Sequence, residues 1–321
     1  MTDESWPIIE EAVLRLFGET SGRYTVIGPR LAELGWAEIH AEYPVEACEL
    51  LFRAQGRTLA QTECLDQIML AELAAALGRP ADAVLMPLPA HGCKPGSSID
   101  RASGLVLGEL RGQLAVPVVT SMGGVAVGVV DTQDLHGQRC DAFDASVLWT
   151  AVSSPLRGSF NESNDAWRRA VAAAHRALAT ELVSLAGEML RIAVDYAKAR
   201  NQFGVPIGAF QSPRHLLAEA CAAVEGVRAL LDEAWRFGEP LCAHAAKAAA
   251  GRVHRSVAGT AIQVCGAIGL TAEHDLHRYV RRGFQIDALL GSYQQLETSL
   301  AEQIFDSYAP GRPLPAVVMC A

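Results

Sequence analysis

The residues in this chain whose types and spacing can do chemistry lie in its second half. Arg200-Asn-Gln-Phe-Gly-Val-Pro-Ile sets a forked cation beside an amide and a flat apolar ring. Arg200 suits a pyrophosphate, and Phe203 offers a planar face with Gln202 between them. Further on, Ala261-Ile-Gln-Val-Cys-Gly-Ala-Ile-Gly-Leu-Thr-Ala-Glu places Gln263 ahead of Gly266, where a missing side chain permits close approach of backbone to ligand. Glu181 and Glu188 lie two turns apart along one apolar-periodic stretch. Each group also has a plain structural reading. Arg200 can be a solvated cation favoured by a helix C-terminus, Phe203 a core residue, Gly266 and Gly269 a helix cap. Glu181 and Glu188 read more simply as buried or paired structural carboxylates.

The elements that position these residues fall into three regions. Residues from about 4 to 80 read as helices, with Ile8, Val13 and Leu16 on one face and Ala47, Leu50 and Leu51 on another. From about 81 to 160 the pattern turns to short β-rich runs at 104–110, 114–120, 124–130 and 138–143, a small antiparallel sheet or barrel. Gly123-Gly124 reads as the turn of a hairpin. Residues from about 161 to 308, within a C-terminal domain taken as 161–321, are Ala-rich and helical. Helices are predicted from Asp165 to Arg200, Gln211 to Phe237, Pro240 to Ala267, Ala272 to Asp287 and Ser292 to Ser307. The first would run on the order of 50 Å. Short connections between long helices make neighbours antiparallel, hence a bundle. Ser212 before Pro213 reads as an N-cap, His215 as a packed bundle residue, and Pro310-Gly-Arg-Pro-Leu-Pro as a tail that cannot continue a helix. The fold class is therefore α+β, mostly α.

At 321 residues with 50% hydrophobic side chains, the chain can bury a sizeable core. A net charge of −9 argues against nucleic acid or an anionic membrane as main partner. The acidic start is unlike a signal peptide, and no long uncharged apolar run predicts a membrane span. Eight cysteines without zinc-ligand spacing read as reduced, mostly buried thiols of a cytoplasmic protein, with Cys140 and Cys320 the candidates for exposure.

The turn at 200–207 followed by Phe210-Gln-Ser-Pro-Arg-His-Leu-Leu-Ala, and the 261–273 segment followed by Leu276-His-Arg-Tyr-Val-Arg-Arg, resemble two motifs of the acyl-CoA dehydrogenases. These flavoenzymes oxidise the Cα–Cβ bond of acyl-CoA thioesters, and their domain order is helical, β, then helical bundle. The resemblance implies FAD as cofactor and an acyl-CoA substrate. It implies that Arg200, Gln202 and Phe203 reach a neighbouring subunit's flavin, with Gln263, Gly266 and Ala267 on its pyrophosphate and adenosine side. Ala267 stands where the family carries a second glycine. Arg281 and Arg282 become candidates for the CoA or interface side, or a solvated basic face.

The chain also departs from the family. The segment Ala288-Leu-Leu-Gly-Ser-Tyr puts Leu290 where the usual glutamate base belongs. The family's second base position falls, by an ungapped count, at about Ala174. Neither residue takes a proton. The family's flavin-cradling loops are likewise absent; Pro95-Gly-Ser-Ser and Ser121-Met-Gly-Gly are weak substitutes. A chain without base or cradle, yet with contacts for a neighbour's flavin, is similar to the short, non-catalytic subunit of heterotetrameric steroid side-chain acyl-CoA dehydrogenases. The alternatives are a self-associating dehydrogenase with its base moved to Glu181 or Glu188, and a structural pseudoenzyme without flavin.

Overall fold

The computed structural model describes residues 5–141, 143–144 and 147–305. Cys320, Ser307 and the proline-rich tail expected at 310–315 lie outside them. The chain is α+β and mostly α, as its patterning predicts. Helices α1 (Trp6–Gly18), α2 (Gly28–Glu33), α3 (Trp36–Glu42), α4 (Pro44–Thr58) and α5 (Cys64–Leu73) come first, with a short parallel pair between β1 (Tyr24–Thr25) and β2 (Gln61–Thr62). Proline in the first turns of α1, α2 and α4 starts these helices where a missing N–H is harmless.

Two small sheets follow. One has the order β3 (Ala83–Val84), β5 (Gln113–Val119), β6 (Val125–Asp131), β9 (Asn161–Glu162), and the other β4 (Arg101–Leu107), β8 (Trp149–Pro155), β7 (Gly137–Arg139). The β5–β6 hairpin turns through Thr120–Gly124, as the Gly-Gly pair predicts. Two expectations need correction. The pairing is not wholly antiparallel, because β3 runs parallel to β5. The fourth run is only three residues long, and β8, which the sequence reading missed, is the central strand of its sheet.

The remainder is the bundle: α6 (Asn164–Ala199), the tiny hairpin of β10 (Asn201–Gln202) and β11 (Val205–Pro206), α7 (Gln211–Phe237), α8 (Pro240–Cys265), α9 (Leu276–Asp287) and α10 (Tyr293–Phe305). The helix after Cys265 breaks into a 3-10 turn at Gly266–Leu270 rather than running on. Helix α7 starts at Gln211 with Phe210 as its cap, so Ser212 is not the N-cap. His215 is exposed on that helix, not packed in the bundle. The Ala-rich helices α6 and α8 lie against each other, and small side chains such as Ala174, Ala177, Ala246 and Ala250 leave little bulk in a core this tightly filled. One apolar core runs unbroken from the N-terminal helices into the bundle, while Leu85, Val116, Val118 and Val152 form a separate core in the sheets.

Where α4 crosses α6, Gly56 is required: a Cβ there would sit 2.6 Å from the Ser184 Cβ. Beside that crossing, Glu181 is buried and salt-bridged to Arg282 at 2.7 Å. Gln55 Nε2 donates to the other Glu181 oxygen at 3.0 Å, and Arg282 also donates to the Ala60 carbonyl. Thr62 donates to Gln55 Oε1. The carboxylate is thereby matched to a cation and an amide, the condition for a buried charge to be tolerable.

Candidate functional site

Two places in the bundle concern the chemistry. The first is the end at which α6 and α8 both terminate. The backbone leaves α6 with the Arg200 N–H bonded to Tyr196 O at 2.8 Å, and the Ile207 N–H returns to Arg200 O at 2.8 Å. Between them β10 and β11 pair Asn201 with Pro206 and Gln202 with Val205. The two turn residues, Phe203 and Gly204, have φ of 53° and 82°, the signs a type I′ hairpin demands. Glycine adopts this freely; phenylalanine does so at a cost of roughly 1–2 kcal/mol. Phe203 nevertheless stands 93% exposed, its ring set edge-on to Phe210 at 6.2 Å between ring centroids. Arg200 and Gln202 are exposed beside it.

Tyr196 meets His274 edge to face at 6.2 Å, which brings the segment after α8 to this same end. There Gly266 caps α8 with φ 67°, and a Cβ built on it would have nothing within 4 Å. Gln263, Gly266 and Ala267 are exposed, as are Ile268 and Leu270. The structure thus gathers all six residues singled out from the two motifs at one end of the bundle. A forked cation, a flat ring and an open glycine backbone suit a flat ring system joined to a pyrophosphate, provided the remaining walls come from elsewhere.

The second place is the loop between α9 and α10, and it is sealed. Leu290 is fully buried with φ 53°, and Ala174 is fully buried as well. Around the loop sits a polar cluster that the sequence reading missed. His175 Nε2 bonds Leu290 O at 2.9 Å, and the Cys93 thiol donates to the same oxygen at 3.0 Å. Lys247, with no exposed surface, donates to Gly291 O at 2.6 Å and Asp287 O at 2.9 Å, with the Asp287 carboxylate 3.8 Å away. His244 stacks edge-on against His175. Burial holds His175 well below the usual histidine range, an effect that the nearby Lys247 charge reinforces. Burial also lowers Lys247, raises Asp287, and pushes Cys93 up to about 11. The lone lysine in Ala245-Ala-Lys-Ala-Ala was the one signal that could have betrayed this cluster.

The two carboxylates on α6 are both engaged. Glu181 is held by Arg282 and Gln55; Glu188 is paired with Arg191 at 2.8 Å and Arg57 at 3.4 Å. Arg282 is therefore neither a CoA contact nor part of a solvated basic face, because its partner Glu181 draws it into the core. Arg281 is exposed and lies over the Phe143 ring.

Residues 169–303 match the family model for the acyl-CoA dehydrogenase C-terminal domain. Among curated relatives, the acyl-CoA dehydrogenase IpdE2 of Mycobacterium tuberculosis is 35% identical over 130 residues, which is 40% of this chain and 41% of that protein. The match thus spans about two fifths of the relative's length. Among solved structures, the Tcur3481–Tcur3483 steroid ACAD superposes with a TM-score of 0.79 at 21% identity, covering 94% of this chain and 98% of that one. The ChsE4–ChsE5 complex from Mycobacterium tuberculosis gives 0.77 at 18% identity, covering 96% and 99%. At these identities the superpositions establish a shared fold.

Proposed function

We propose, from the premise that the helical bundle of this chain belongs to the acyl-CoA dehydrogenase family, that the chain is the non-catalytic subunit of a heteromeric, FAD-dependent acyl-CoA dehydrogenase. The observation that carries this is the exposed hairpin: Phe203 holds an unfavourable backbone conformation with almost no packing of its own to offset it. Such strain makes sense where the ring is completed by a surface outside the chain. The heteromeric neighbours in fold, ChsE4–ChsE5 and Tcur3481–Tcur3483, support a second, different chain as that surface.

When bound, FAD would supply hydride acceptance from an acyl-CoA. This chain's part is to hold it: Arg200 on the pyrophosphate, Phe203 and Gln202 against the ring system, Gln263, Gly266 and Ala267 along the backbone. The proton-abstracting carboxylate comes from the partner, since the two base positions here are the buried Leu290 and Ala174. The same reading divides the chain at about residues 80 and 160 into a helical, a reduced β and a bundle domain.

The test is the visible spectrum of the purified chain, alone and co-expressed with a catalytic acyl-CoA dehydrogenase chain. A colourless lone chain and a yellow complex with one FAD per two chains are expected. A fully flavinylated lone chain would sink the proposal in favour of self-association and a base at Glu181 or Glu188. Two colourless preparations would leave a structural pseudoenzyme.

A further inference from the structure

A cavity of about 1170 Å³ opens among α2, α3, α4 and α5, with Asp82 and the β4–β5 turn at Arg111 and Gly112 on its mouth. It is remote in the chain from both places described above and has no part in the flavin reading. Its size exceeds the roughly 300–1,000 Å³ usual for small-molecule sites. Leu31, Leu51, Phe52, Ile68 and the half-buried Trp36 make its walls predominantly apolar. Nothing in the sequence patterning announces it, because its walls come from helices that each look like ordinary core formers.

The charges around it say what it excludes. Glu38 and Asp82 stand at the opening. The Glu63 carboxylate on the wall accepts hydrogen bonds from the Ile27 and Gly28 N–H groups at 2.8–3.0 Å. The single arginine of the lining, Arg111, lies over the Tyr24 ring at 5.8 Å. An anionic ligand would therefore meet more negative than positive charge. The donors on the lining other than Arg111 include the exposed Gln67 amide, the Trp36 indole, the His40 imidazole and the weaker Cys48 and Cys64 thiols. We infer that this cavity binds an uncharged, elongated apolar molecule, alkyl or polycyclic, that ends in a hydroxyl or ketone.

Cys48 provides the readout. It is half-buried on the cavity lining, 3.4 Å from His40 Nε2, whereas Cys221 is exposed on α7 and serves as an internal control. The full chain is labelled with a maleimide, and each cysteine is followed by peptide mass spectrometry. Hexadecan-1-ol and cholesterol are the neutral probes; hexadecanoate is the charged counterpart. With a probe at ten times its Kd, labelling of Cys48 is expected to slow about tenfold while Cys221 is unchanged. Hexadecanoate should give under about twofold protection at the same concentration. Ala71→Trp and Ala32→Trp fill the cavity from exposed positions without truncating the core, and should abolish probe-dependent protection. No protection by either neutral probe overturns the proposal. So does equal protection by hexadecanoate, or protection that survives both tryptophan variants. Protection of Cys48 by a partner chain without lipid would make the cavity a protein interface and overturn it as well.

Discussion

Phe203 and Leu290 share a φ of 53°, and almost nothing else. Phe203 is 93% exposed; Leu290 has no exposed surface. The Leu290 carbonyl receives His175 and Cys93, and the next carbonyl receives Lys247, so the sealed loop holds its strained residue with bonds of its own. The hairpin backbone is closed by its own strand pairing, but the strained Phe203 side chain meets only solvent on most of its surface and the edge of Phe210. Strain supported from within marks structure; strain left unsupported on a surface marks a place that something else completes. By that contrast Leu290 sits in a structural joint, while the hairpin turns its strained residue outward.

The largest expected effect tests the sealed side. Lys247→Ala removes the donor to two carbonyls and leaves Asp287 without its cation, which should cost about 3–5 kcal/mol in urea unfolding. A loss below about 1 kcal/mol would mean that the cluster is not a joint.

Acid should next strain the contact between α8 and α9, where His254 Nε2 bonds Tyr279 O at 3.3 Å. Burial pushes the His254 imidazole down to about 4, well below the usual histidine range. The unfolded chain therefore takes up this proton first, and the stability that neutral His254 contributes is present above pH 6.5 and lost as pH falls toward 4. Asp66, raised to about 7 by burial, works in the opposite direction over part of that range, so the comparison is made with His254→Gln. The stability advantage of the native chain over this variant should shrink by roughly 3 kcal/mol between pH 6.5 and 4. An advantage independent of pH would contradict the buried neutral ring.

The hairpin should respond with the reverse sign. Phe203→Gly relieves the left-handed backbone and should raise stability by ~1 kcal/mol. The same variant, in complex with the catalytic chain, should retain far less FAD. Stability and flavin retention moving together would erase the distinction between the two sites. The smallest effect on stability belongs to Arg200→Ala, within about 0.5 kcal/mol as for an exposed side chain, although its complex should also lose flavin.

Local signals made the helices legible. The bounds of α7 after its first cap, and the end of α6, follow from apolar periodicity ended at Gly238 and at the Asn-Gln-Phe-Gly turn. The two motifs were legible for the same reason, since each is contiguous. What stayed hidden was made of distant pieces. Strand β8 gains its identity from β4 and β7, and its own alternation is interrupted. Arg282 reads as surface until Glu181 is found opposite it. The sealed cluster combines Cys93, His175, Lys247 and Asp287 from four separate elements, and no spacing rule relates them.

The buried pair of Glu181 and Arg282 also has a consequence for how the chain is made. The two residues are separated by 101 positions, and Gln55, which shares the carboxylate, is 126 positions before it. During synthesis the amino-terminal helices and most of α6 emerge while the cation that neutralises Glu181 does not yet exist. Closing the α4–α6 crossing early would trap an uncompensated charge, so the nascent chain has reason to stay open there. Arg282 lies on α9, after α6, α7 and α8 in the chain, and its arrival releases that brake. Closure of the α4–α6 crossing is thus tied to the synthesis of α9, and a message truncated before α9 would yield a product whose Glu181 carboxylate has no Arg282 to pair with.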